Sequence, residues 1–450
     1  MSEREFDRAG PPQPVLLANA RLVDPQERRE FHGGLIVKDG LIAEIGAHLA
    51  TVSSLDDMRE KMRIIDCLGH VVAPGLVDLQ AFVGEPGAEH RETLASASRA
   101  AAAGGVTTLV CRPDTHPVID DPAIVDFVLR RARAASALRI HPSAALTKGL
   151  AGREMTEIGL LKEAGAVVFG DGHKSIMNSQ LMRRALLYAR DRDAIVSHFT
   201  QDETLAAEGV MNEGEFASRL GLSGVPKVAE TLVLMRDLAL VRLTGARYHA
   251  ALISCAESLE AIRAAKSEGL RVTCGVSINH LTLNESDVGD YRTFFKLSPP
   301  LRSETDRRAL VEGLADGVID AIVSDHDPQD VETKRQPFAE SADGAIGLET
   351  MLAAGLRLVH SGEIALPCLL AALSSGPANA FRLPPANLVV GSCADLVVFD
   401  PDEPWIVDPS TLHSLCKNTP FDEARLQGRV LATLVGGEFV NAVASSLPGL

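Results

Sequence analysis

Val71-Val72-Ala73-Pro74-Gly75-Leu76-Val77-Asp78-Leu79 is an apolar run interrupted only by a proline–glycine step and one carboxylate. Similar short runs recur downstream at 107–111, 166–169, 194–198, 248–254, 271–276 and 321–324. Between them lie stretches rich in Ala, Leu, Arg and Glu, at 92–103, 122–135, 179–191, 227–243, 258–268, 304–315 and 348–358. Strand-length runs alternating with helix-length runs predict parallel β/α units, and about eight such units predict a closed (β/α)8 TIM-like barrel over residues 71–385. Outward from it, residues 14–70 and 386–445 read as strands and turns, with Lys38-Asp39-Gly40 as a hairpin signal. The expected architecture is α/β: a barrel carrying a small composite β-sandwich module built from both chain ends.

Composition narrows the function. The chain has 450 residues, 46% of them hydrophobic, enough to bury a large core. Its net charge of −16 opposes binding to polyanions, so neither nucleic acid nor an anionic membrane is an expected partner. No apolar run approaches the roughly 18 residues of a membrane span. The start, MSEREFDRAGPPQP, lacks the basic-then-apolar pattern of a signal peptide. Seven cysteines without a C-x-x-C predict reduced thiols and a cytoplasmic protein, not a disulfide framework.

Barrel chemistry sits at the carboxyl ends of the strands. Four stretches there are distinctive: Ala101-Ala102-Ala103-Gly104-Gly105-Val106-Thr107-Thr108, Lys296-Leu297-Ser298-Pro299-Pro300-Leu301-Arg302, Val323-Ser324-Asp325-His326 and Gly344-Ala345-Ile346-Gly347-Leu348-Glu349-Thr350. With the strand-end segment Leu79-Gln80-Ala81-Phe82-Val83-Gly84, their order resembles class I dihydroorotases of the amidohydrolase superfamily. The resemblance spans nearly the whole chain. It implies reversible closure of carbamoyl aspartate to dihydroorotate on one or two zinc ions, in pyrimidine synthesis.

The ligands that such zinc chemistry needs are largely replaced. The family's His-x-His pair falls on Gln80 and Phe82, and its substrate-binding arginine on Gly84. The strand-end asparagine falls on Asp114, and two further histidines fall on Phe199 and Leu252. His198 lies one step from the ligand position, and a single step along a strand turns a side chain to the other face. His280 stands where the family has two adjacent histidines. Asp171 matches an aspartate near the metals, and Asp325 matches the one that shuttles the proton.

The resemblance is therefore to the family's non-catalytic members. It implies a structural or regulatory subunit that assembles with aspartate carbamoyltransferase, as a homo- or hetero-oligomer without a cofactor. Asp325 is then vestigial. One alternative stays open: an active cyclic amidohydrolase with an altered or mononuclear zinc site held by Asp171, His198 and Asp325, where Asp325 is the general acid/base. A third reading is a small-molecule sensor using the emptied pocket.

Overall fold

A computed structural model of the chain describes residues 13–27, 29–50, 62–443 and 446–450. The amino-terminal stretch 1–12, on which the signal-peptide reading falls, lies outside the described residues.

The chain begins in a sheet: β1 (Val15–Asp24), β2 (Arg29–Lys38), β3 (Leu41–Gly46), β4 (Arg63–Asp66) and β5 (Val71–Pro74). It enters the barrel at β6 (Leu76–Ala81), β7 (Val106–Cys111), β8 (Arg139–Pro142) and β9 (Ile195–His198). A two-residue parallel pair, β10 (Met211–Asn212) and β11 (Gly224–Val225), precedes β12 (Arg247–Ala250), β13 (Val272–Ser277) and β14 (Ala321–Val323). The chain returns to the first sheet with β15 (Leu396–Ile406), β16 (Arg425–Val435) and β17 (Glu438–Ala442).

Both chain ends share one eight-stranded sheet, seven strands in the order β17-β16-β15-β5-β1-β2-β3 and β4 beside β1 off that path. β1 carries a register shift between Leu17 and Ala20; its first half pairs with β4 and its second with β5. Its apolar face buries Leu17, Leu35, Ile42, Leu396, Val398 and Leu434 as a separate core.

The run 71–79 is thus two strands. β5 closes the terminal sheet, and β6 opens the barrel after Gly75, where a Cβ would lie 2.2 Å from the Thr107 side chain. The barrel is a closed parallel ring. β6, β7 and β8 pair in turn, Phe169 bridges Ala144 to Val196, β9, β12, β13 and β14 continue in that order, and His326 returns to Ala81. Gly104-Gly105 makes the tight helix-to-strand turn: Gly105 has φ +83°, and a Cβ on Gly104 would strike the Leu348 carbonyl.

Inside the ring, Val77, Leu79, Val110, Val168, Ile195, Phe199 and Leu252 form an apolar cluster with Ala378 and Phe381. These last two come from the helix Ser375–Phe381, which closes the amino end of the barrel beside Asp320. The lumen is filled by side chains, as in other barrels of this type.

Candidate functional site

β6 delivers Gln80 and, just beyond its end, Phe82 to the mouth of the barrel. The Gln80 amide nitrogen lies 2.9 Å from Nε2 of His173. Phe82 is buried, with the Arg91 guanidinium 4.1 Å and that of Arg112 5.5 Å from its ring centre. A cation over an aromatic face is attractive, and it holds the ring flat in the mouth. Phe199 and Leu252 also belong to the lumen cluster. An amide, two phenyl rings and an isobutyl group therefore occupy the four positions onto which the resemblance maps histidines.

Charge at the mouth is closed on itself. Arg112, buried, donates to both Asp114 oxygens and, at 3.0 Å, to Asp327. Arg91 donates to the other Asp327 oxygen at 2.6 Å and to the Pro328 carbonyl at 2.7 Å. Burial alone would raise the Asp114 carboxyl, but Arg112 and His173 hold it below the ordinary carboxylate range. Neither guanidinium is left to fork onto a substrate carboxylate.

Gly84 cannot be replaced in place. A Cβ there would sit 2.1 Å from the Ala88 carbonyl oxygen, inside a turn closed by the Ala88 amide donating to the Gly84 carbonyl.

The three candidate ligands are not gathered together. Asp171 accepts from the amides of Leu146 and Thr147 at 2.8 and 2.9 Å, and from the Thr147 hydroxyl. It anchors the loop after β8. His198 faces away from the lumen, between inward Ile195 and Phe199. Its Nε2 accepts from the Ile176 amide at 2.8 Å, and Nδ1 is 2.6 Å from Asp237, which also accepts from the Tyr248 hydroxyl at 2.8 Å. Both ring nitrogens are used, so His198 offers no lone pair to a metal.

Asp325 alone of the three reaches the mouth. Its φ is +52°, and Oδ1 lies 3.6 Å from His173 Nε2. Burial pushes its carboxyl up, but His173, His280 and Arg112 bring it, on balance, below the ordinary range. His326 points the opposite way, 3.4 Å from buried Glu92, and accepts from the Gly347 amide. His280 is packed, its Nε2 3.2 Å from the Pro300 carbonyl. Among the described residues, no group of three His, Cys, Asp or Glu side chains converges on a point that could hold a metal ion. The donor set does not fit a tetrahedral zinc site.

Three members of the mouth cluster, Arg91, His173 and Asp327, escaped the sequence reading. His173 follows Asp171 by two residues in a glycine-flanked turn, and Asp327 follows Asp325 by two. Both lie in loops beyond the strand ends, where strand alternation does not apply, so their place carries no local signal. The space left between Gln80, Arg112, Ser143, Ser197 and Phe381 is about 30 Å³, room for water and not for a cyclic amide.

Fold and site together define an amidohydrolase-type barrel with a remodelled mouth. The L-hydantoinase (dihydropyrimidinase) of Arthrobacter aurescens superposes with a TM-score of 0.85 at 26% identity, over 96% of both chains. A dihydropyrimidinase from Brevibacillus agri shares the fold, with a TM-score of 0.80 at 21% identity over 95% of both chains. Residues 69–258 match the dihydro-orotase-like family. The dihydroorotase of Syntrophus aciditrophicus is 41% identical over 95% of this chain and 99% of its own length. That of an Anaeromyxobacter species is 42% identical over 95% and 98%. The chain belongs to the dihydroorotase family. No helix among the described residues is long and apolar enough to cross a membrane.

Proposed function

We propose that this chain is a dihydroorotase-like protein of pyrimidine biosynthesis that no longer carries out zinc-dependent ring closure. It serves in the cytoplasm as a structural or regulatory subunit with aspartate carbamoyltransferase. One observation carries the reading: Gln80, Phe82, Phe199 and Leu252 fill the strand ends where the family's histidines belong, in a lumen with space only for water. Loss of a single supporting partner commonly costs a metal site ten- to a hundredfold in affinity. Four replaced donors at one centre remove it.

The scaffold needs only the outer surface, and that is why the fold can persist without its chemistry. A single-metal enzyme built on Asp171, His198 and Asp325 would require the first two to abandon their internal partners.

The test has two arms. Purified protein, dialysed against zinc, should retain less than one ion per chain by elemental analysis and show no closure of carbamoyl aspartate. Co-expression with aspartate carbamoyltransferase should give one joint assembly on a sizing column. Stoichiometric zinc with turnover would overturn the loss of catalysis, and separate elution at every concentration would overturn the partnership.

A further inference from the structure

Gly347-Leu348-Glu349-Thr350, one of the distinctive stretches of the sequence, takes no part in the charge cluster at the mouth. It leads into the helix Met351–His360, which packs against β16. Barrel and terminal sheet leave a groove of about 180 Å³ here. Leu352 and Ala353 line it from the helix, Trp405 from β15, Val430 from β16 and Asn441 from β17, with Glu349 beside them. Glu349 is a half-buried carboxylate, and its oxygens accept from the His413 amide at 2.9 and 3.0 Å and from the Ser414 amide at 3.1 Å. Among the described residues, no Lys, Arg or His nitrogen comes within ion-pair distance of it. Burial pushes its carboxyl up, and the two amides and the imidazoles of His413 and His326 offset only part of that rise. Exposed Arg429, also on the groove, is paired with Glu403 at 3.1 Å.

We infer that this groove binds a small organic cation, an alkylguanidinium or alkylammonium whose head group meets Glu349 and Trp405 and whose stem lies on Leu352, Ala353 and Val430. Three observations favour that ligand. A carboxylate drawn partly out of water without a counter-ion costs free energy that a bound cation returns. The Trp405 indole N–H is spent on the Gly428 carbonyl at 2.9 Å, so the ring offers the groove carbon and π density, which attract a cation and not an anion. The remaining walls are apolar and suit methylenes.

The field of the whole chain works in the same direction. A net charge of −16 gathers cations at the surface and repels phosphates. A nucleotide stacked on Trp405 would need Arg429 for its phosphate, and Glu403 already holds that guanidinium. Because the walls come from both the barrel and the terminal sheet, a bound cation ties the two together. The site needs only this chain, and it stands independently of the carbamoyltransferase partnership.

Trp405 is the only tryptophan in the sequence, so tryptophan fluorescence of the full chain reports on this groove alone. Butylguanidinium and butylammonium should change the emission saturably, with a midpoint at or below about 1 mM, as suits a ligand of about eight heavy atoms or fewer. Butylurea, the uncharged isostere, should bind roughly tenfold more weakly or worse. Glu349→Gln keeps an acceptor for the two loop amides while removing the charge, and it should weaken the cation by roughly tenfold or more. Asn441→Arg, at a half-buried position on the edge strand β17, should fill the groove with a tethered guanidinium and block the added one. That variant decides the matter should Glu349→Gln not fold. No saturable change in the parent, an equal response to butylurea, or unaltered binding in either variant would each overturn the site. So would tighter binding of guanosine monophosphate than of either cation, since the groove would then read a nucleobase.

Discussion

The Arg91 guanidinium lies over the face of Phe82, 4.1 Å from the ring centre, while the same arginine holds Asp327 at 2.6 Å. One side chain thus clamps an aromatic ring and a carboxylate together at the mouth of the barrel. Phe82→Ala should remove both packing and the cation–ring contact, at a cost of about 3–5 kcal/mol. Urea unfolding of the two proteins measures it; a difference below about 1 kcal/mol would mean that the ring is not a structural member.

Restoring the first histidine pair should not restore the centre. Gln80→His with Phe82→His supplies two nitrogens, while Phe199 and Leu252 still occupy the remaining space. A closed site needs four donors, or three and an open position. Elemental analysis after equilibration with zinc should find well under one ion per chain; full occupancy would show the lumen to be more permissive than its packing indicates.

His198 should act on stability alone. Burial by itself would raise the Asp237 carboxyl, but His198 and Arg236 hold it below its ordinary range. His198→Ala leaves Asp237 to Arg236 and the Tyr248 hydroxyl, and leaves the buried Ile176 amide without its acceptor. An unsatisfied buried polar group of this kind costs about 1–3 kcal/mol. Thermal and denaturant midpoints should fall equally with and without a chelator, and a chelator-dependent loss would instead make His198 a ligand.

Mild acid should weaken the fold above the carboxylate range. Burial, with a smaller contribution from Lys266, lowers His249 from 6.5 to about 3, where it packs edge-on to Phe381 and 2.8 Å from the Thr273 hydroxyl. The unfolded chain takes up a proton at this group below pH 6.5, while the folded chain stays neutral. Its contribution is therefore complete above about pH 6.5 and declines as pH falls toward 3, by up to about 1.4 kcal/mol per pH unit. His141 and His280, also lowered mainly by burial, act in the same direction. Unfolding free energies between pH 7 and 4 should slope less steeply in His249→Leu than in the parent; parallel curves would remove His249 from the explanation.

The thiols should be largely silent. Cys67, Cys111 and Cys274 are buried and pushed up to about 12, and Cys416 to about 11. Burial and Glu230 raise Cys255 as well. A thiol reagent at pH 8 should modify at most the half-buried Cys368 and Cys393 in the folded protein, and all seven in denaturant. Rapid reaction of more than two would point to an open core.

Much of this was legible in the sequence, because barrel strands and helices carry different periods. β8 was not: Arg139-Ile140-His141-Pro142 is four residues with a cation and a proline, too short and too polar to read as a strand. Strand alternation made the outward turn of His198 an arithmetical consequence of an inward Phe199. Its partner Asp237, on a helix 39 residues away, carries no local signal. The same limit hides the mouth cluster. Arg112 and Asp327 are 215 residues apart, and only closure of the ring brings them to 3.0 Å.

The turn at Gly84 has a bearing on ancestry. A codon change there to arginine would drive a side chain into the Ala88 carbonyl before any substrate could benefit. On the proposed reading, a return to zinc chemistry would demand that backbone, clamp and donors be rebuilt together. Under that reading the turn acts as a ratchet, leaving the exterior free to diversify while single steps back are barred.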